Sequence, residues 1–132
     1  MASVRQFVGK PFRSRGRNID KGLDCWGLAM AVFKEYDITL PDFIVDAFAF
    51  HTIDVFAGKE VGSRLWEEVY DPSDKDVPLV VLMRMHSRLV THAGVYIGNG
   101  RIIHTMEKTG VVVSRVKTLE SRIVGYYRLC SK

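Results

Sequence analysis

Cys25, His92 and His104 are the residues of this chain whose types and spacing could do covalent chemistry. Cys25 sits in Gly22-Leu23-Asp24-Cys25-Trp26-Gly27-Leu28, at the head of an apolar stretch with helical spacing. A thiol is a poor nucleophile until it loses its proton. A helix start offers free N–H groups and a partial positive charge, both of which favour the thiolate. A neighbouring imidazolium does the same, and together they can bring a cysteine pKa into the range of about 3.5–7.5. His92 and His104 lie 12 residues apart around Gly98-Asn99-Gly100, a strong hairpin turn. Centring that turn on Asn99 pairs position 92 near position 106. His104 is then a diagonal neighbour of His92 on the same face of the hairpin. The combination permits a relay in which Cys25 attacks, His92 moves the proton and His104 fixes the tautomer of His92. Simpler readings stand beside it: a cysteine buried in an apolar helix, strand histidines that only pack, or a Cys/His zinc set. The spacing is not that of a compact zinc motif and there is no CxxC, so no metal is expected. His51 and His86 fall in less regular surroundings and read as surface residues.

The elements that must position these side chains follow from periodicity. Residues 1–21 read as an irregular lead-in with turn signals at Gly9-Lys10-Pro11 and Gly16. Cys25, Leu28, Ala29, Val32, Phe33 and Tyr36 repeat at the i, i+3, i+4, i+7 spacing of one helix face, and Pro41 closes the region. Residues 43–69 suggest one or two shorter helices, with Ile44 to Phe56 apolar and Ser63 to Glu68 a capped turn. From residue 79 the period changes to strands: Leu79 to Met85, Ala93 to Ile97, Arg101 to Met106, Val111 to Val116 and Ile123 to Leu129. Strands joined by tight turns pair antiparallel. The expectation is an α+β domain, with N-terminal helices packed on a roughly five-stranded antiparallel sheet.

Bulk properties narrow the function classes. The 132 residues suggest a single domain spanning 1–132, with 47% apolar and 26% charged residues, ordinary for a globular protein. No apolar run approaches the ~20 residues that span a bilayer. Met1 to Gln6 has neither an apolar core nor a cleavage site, so the chain is expected to be cytoplasmic as made. Net charge is +4, much of it in Lys10-Pro11-Phe12-Arg13-Ser14-Arg15-Gly16-Arg17. A basic loop could meet an anionic polymer. It carries one aromatic, Phe12, rather than the interleaved set that stacks on bases, so nucleic acid is not an expected partner. Cys130, two residues from the end, reads as a packing residue rather than chemistry.

At these residues the chain resembles the NlpC-type family of papain-like cysteine peptidases. The blocks that carry the resemblance are Gly22 to Leu28, then His92-Ala93-Gly94-Val95-Tyr96-Ile97-Gly98-Asn99-Gly100, then Ile103-His104. The lead-in Val8 to Phe12 and the ending Val124-Gly125-Tyr126-Tyr127-Arg128 fit as well. Cys25-Trp26, Leu40-Pro41 and the Gly-Tyr-Tyr-Arg ending are similar to the branch found in bacteriophage tails. The resemblance implies a papain-like fold, no cofactor, and cleavage of peptidoglycan stem peptides, typically between γ-D-glutamate and a diamino acid. It implies a thioester on Cys25, a proton shuttle at His92 and an orienting role for His104, with the Cys25 N–H in the oxyanion hole. It also implies that Asp24 helps hold the free amine of the stem peptide. Phe12 stands where many members carry a tyrosine, and Trp26 where some carry a substrate-binding serine. Substrate contact is therefore expected around Asp24, Trp26 and Phe12. Phage tail proteins are the implied partners and a virion tail the implied location. The same site could serve a papain-like acyltransferase, thioesterase or amidase, and the fold could serve a non-catalytic tail component.

Overall fold

A computed structural model describes residues 3–41, 66–85 and 92–130. The expected apolar helix at Ile44 to Phe56 and the residues His51 and His86 lie outside the described residues. A short strand pair, β1 (Arg17–Asn18) and β2 (Gly22–Leu23), leads directly into α1 (Cys25–Lys34). Asp24 caps this helix. Its backbone is extended, and its side chain accepts from the Gly27 N–H at 2.7 Å. That satisfies one of the orphan N–H groups of the first turn. Leu28, Ala29, Val32 and Phe33 are buried, which is the face the sequence spacing marks. The helix stops at Lys34, short of Tyr36 and well before Pro41. Asp37 turns into the left-handed region at φ 61° and the Ile38 N–H folds back to the Phe33 carbonyl. The stop is thus made by a local turn rather than by the proline.

Six strands form one sheet in the order β3-β8-β4-β5-β6-β7, every neighbouring pair antiparallel. They are β3 (Trp66–Val69), β4 (Leu79–Met83), β5 (His92–Gly98), β6 (Arg101–Met106), β7 (Gly110–Arg115) and β8 (Ile123–Leu129). A one-turn helix, α2 (Val116–Leu119), joins β7 to β8 with a following 3₁₀ turn. Five of these strands match the expected ones, and the domain is α+β as read. The sixth, β3, corrects the expected capped turn over Trp66 to Glu68; residues 63–65 of that expectation lie outside the described residues. Trp66, Glu67, Glu68 and Val69 pair with Leu129, Arg128, Tyr127 and Tyr126, so strand pairing overrides local turn signals there.

The sheet is buried on both faces. In β4, Val80 and Leu82 join the cluster under α1, while Leu79, Val81 and Met83 join a second cluster with Tyr96, Ile102 and Leu119. Alternate side chains point to opposite faces, so a continuous apolar run supplies two cores. α1 packs across β5 and β6, which places the helix start beside the strands that carry the histidines.

Candidate active site

Cys25 is the first residue of α1, and the backbone N–H groups of Ala93 and Trp26 lie where they favour its thiolate. Ala93 follows His92 on β5, so the thiol is docked against the start of the histidine strand. Only 5% of Cys25 is exposed. Burial pushes its thiol up from 9.0 to about 12, with the Asp24 charge adding to the rise. The two N–H groups and the Arg17 cation oppose it without prevailing. This differs from the sequence expectation that a helix start would make the thiolate. The physical reason is that loss of water around a small anion costs more than a helix terminus returns.

The histidines meet as the hairpin arithmetic anticipates. Val95 pairs with Ile103 and Tyr96 with Ile102, a register centred on Asn99 that tightens by one residue at Gly98 and Arg101. Gly98, Asn99 and Gly100 all carry positive φ, at 90°, 54° and 67°, which glycine and asparagine tolerate. His92 Nε2 lies 2.9 Å from His104 Nδ1, and the rings pack edge to face with centroids 5.1 Å apart. Gly94 has no Cβ to keep β6 away: an added Cβ would lie 3.1 Å from the His104 Cβ. His104 is 2% exposed, and burial lowers its pKa from 6.5 to about 4. It is therefore neutral at pH 7. Its second nitrogen, Nε2, lies 2.8 Å from Ser114 Oγ on β7. The sequence reading missed Ser114, although the same register arithmetic finds it. A turn over Glu107 to Gly110 pairs Ile102 with Ser114 and His104 with Val112, leaving Ser114 diagonal to His104 on one face.

The three residues expected to touch substrate are placed differently from one another. Asp24 is 0% exposed and divides its work within one oxygen. Oδ1 accepts from Gly27 N–H and from Arg17 Nη1, both at 2.7 Å, while Oδ2 is buried without a hydrogen-bond partner among the described residues. Burial raises its pKa, with the Gly27 N–H and the Arg17 cation pulling the other way. Trp26 is a core residue in the described structure. It is 2% exposed, packs edge to face on Trp66 at 6.1 Å, and donates its Nε1–H to the Pro41 carbonyl at 2.9 Å. Its ring is too large and apolar to leave in water at the helix start when a pocket between α1 and β3 is at hand. Phe12 is half-buried and its backbone bridges Leu23, two residues before Cys25. Among the described residues no group of three or more His, Cys, Asp or Glu side chains could hold a metal ion. No described helix is long and apolar enough to cross a membrane.

A cysteine on a helix start, set against a sheet that carries a hydrogen-bonded, edge-to-face histidine pair in an α+β domain, is the layout the sequence resemblance implies for the papain-like class. Within that class the chain belongs to the NlpC/P60 family, whose model matches residues 9–127. Two proteins of Bacillus subtilis are similar in sequence. One is a gamma-DL-glutamyl hydrolase, 24% identical over 119 residues, covering 89% of this chain and 25% of the relative. The other is the bifunctional muramidase/DL-endopeptidase CwlT, 26% identical over 132 residues, covering 97% of this chain and 32% of the relative. The chain thus spans about a quarter to a third of these curated relatives. Among solved structures, an NlpC/P60 family protein from Bacillus cereus superposes with a TM-score of 0.64 at 22% identity, covering 95% of this chain and 37% of that one. The NlpC/p60 domain of the peptidoglycan hydrolase SagA superposes at 0.61 and 14% identity, covering 94% and 91%. These likenesses establish the fold.

Proposed function

We propose that this domain is a thiol endopeptidase that cuts peptidoglycan stem peptides between γ-D-glutamate and the diamino acid. The observation that carries the reading is the buried His92–His104 pair. With His92 Nε2 directed at His104 Nδ1, the ring nitrogen of His92 that can take the thiol proton is Nδ1. The thiol itself is docked on the adjoining Ala93 N–H. The thiol proton passes to His92 when the sulfur attacks. Sulfur bonds to the carbonyl carbon, and the oxyanion is met by the Cys25 N–H at the helix start. Collapse of that adduct breaks the amide bond. The leaving amine takes the proton from His92 and a thioester remains on Cys25. Water then attacks the thioester, gives its proton to His92, and releases the acid and the thiol.

The names of the relatives support the bond assignment: a gamma-DL-glutamyl hydrolase and a DL-endopeptidase. We further place the domain in a phage or prophage tail, acting with tail proteins that bring it to the wall. The support is the resemblance in sequence of Cys25-Trp26, Leu40-Pro41 and the ending Gly125-Tyr126-Tyr127-Arg128 to the branch found in phage tails. The test is mass spectrometry of muropeptides after incubation with purified sacculi. New amino-terminal diamino acid fragments are expected, and unaltered muropeptides, or release of acyl groups instead, contradict the reading.

A further inference from the structure

We propose that Ser114 is a positioning residue of the relay: by accepting the Nε2–H of His104, its hydroxyl supports the tautomer that leaves His104 Nδ1 bare toward His92. The inference rests on reading Cys25 as nucleophile and His92 as base.

Three groups on three neighbouring strands form one line: His92 on β5, His104 on β6 and Ser114 on β7. The links are 2.9 Å and 2.8 Å, both ordinary hydrogen-bond lengths. A line of this kind has a polarity, and the first step of the reaction sets it. To receive the thiol proton, His92 needs a bare Nδ1, so neutral His92 carries its proton on Nε2. That Nε2–H donates to His104 Nδ1, which must then be bare. His104 is neutral and carries one proton, which is left on Nε2 and donates to Ser114 Oγ. The opposite polarity has Ser114 donating to His104 and His104 donating to His92. It leaves the His92 proton on Nδ1, where the thiol proton would have to go. Only one polarity lets the base work, and the hydroxyl at the far end stabilises it by accepting.

The same polarity stabilises the charged state that follows. Once His92 is an imidazolium, its Nε2–H still donates to a bare acceptor, and no rotation of either ring is needed. His104 has little access to water that could replace Ser114 as partner, since it is 2% exposed. Removing the hydroxyl therefore leaves Nε2–H poorly satisfied and lets His104 divide between its two tautomers.

The experiment reads the ring directly. In the ¹⁵N spectrum of the wild-type protein, assigned with a His104→Gln variant, His104 is expected to show a protonated Nε2 and a bare Nδ1. In Ser114→Ala both nitrogens are expected at tautomer-averaged positions, and alkylation of Cys25 by iodoacetamide at pH 7 should slow about fivefold to tenfold, as loss of one hydrogen bond implies. Ser114→Thr, which keeps the hydroxyl, should restore the single tautomer and bring the rate back to within about twofold. A wild-type His104 protonated on Nδ1 overturns the proposal by itself, even where neither Ser114 variant folds. A Ser114→Ala protein with the wild-type spectrum and alkylation rate overturns it as well. Neither readout needs a substrate. The expected spectra beside uncut muropeptides would therefore uphold Ser114 while contradicting the proposed bond.

Discussion

His104 shows most plainly how a single residue's surroundings set its chemistry. Buried between β5 and β7, it is held neutral and titrates at about 4 instead of 6.5. The sign of the stability effect follows from proton counts. Between about pH 6.5 and pH 4 the unfolded chain binds a proton at this position and the folded chain does not. Stability contributed by keeping His104 neutral is therefore complete above about pH 6.5 and lost as pH falls through that window. The difference of 6.5 − 4, about 2.5 units, corresponds to roughly 3 kcal/mol. Urea unfolding of wild type and His104→Gln at a series of pH values should show the fall in the former and a flatter profile in the latter. The buried thiol follows the same physics, since dehydration governs it more than the helix end does. Neither environment can be read from residue type. What was legible at this scale was the meeting of His92 and His104, because register arithmetic needs only positions and a turn. The burial that keeps Cys25 and His104 neutral depends on which surfaces meet, and that information is spread over the whole chain.

At the scale of elements, the start of α1 depends on an ion pair. Asp24 caps the helix while Arg17, reaching over from β1, neutralises it at 2.7 Å. The carboxylate is fully buried, so removing the cation leaves an unpaired charge with no water to replace it. Arg17→Ala should cost about 3–5 kcal/mol in chemical denaturation, and Asp24→Asn made on that background should recover part of the loss. A loss in Arg17→Ala no larger than that of an exposed surface pair would contradict the assignment. Strands β5 and β6 meet closely at Gly94, where an added Cβ would lie 2.9 Å from Ile102 Cγ2 and 3.1 Å from His104 Cβ. Gly94→Ala should destabilise by about 1–3 kcal/mol through overpacking and lower activity by displacing His104. The helix and five strands were legible because their apolar periods are strong. The sixth strand was not: Trp66-Glu67-Glu68-Val69 is short, and its two adjacent glutamates mask the alternation. It exists because β8 offers an edge and the cluster under α1 offers Trp66 a pocket. The burial of Trp26 was hidden for a related reason, since helix position alone does not say that Trp66 and Pro41 lie ready to cover it.

In the whole molecule, one curved set of contacts serves both folding and chemistry. The sheet is covered on both faces, and α1 presses its first residue onto the strands that hold the histidines. Trp26 ties this arrangement together from inside the core. Trp26→Ala should therefore cost about 3–5 kcal/mol and lower the thermal midpoint, with substrate affinity changed little in whatever fraction remains folded. A Trp26→Ala protein of unchanged stability that lost affinity would instead return this residue to the substrate surface. The central claim, that Cys25 is a nucleophile served by His92, has a direct test in the acyl-enzyme it requires. A stem peptide mixed with the protein and quenched in acid within the first turnover should leave its γ-glutamyl acyl group on the Cys25 peptide by mass spectrometry. The adduct should be lost in Cys25→Ala and strongly reduced in His92→Ala. Cleavage of the stem peptide by Cys25→Ala at the wild-type rate, with no adduct in either protein, would contradict it.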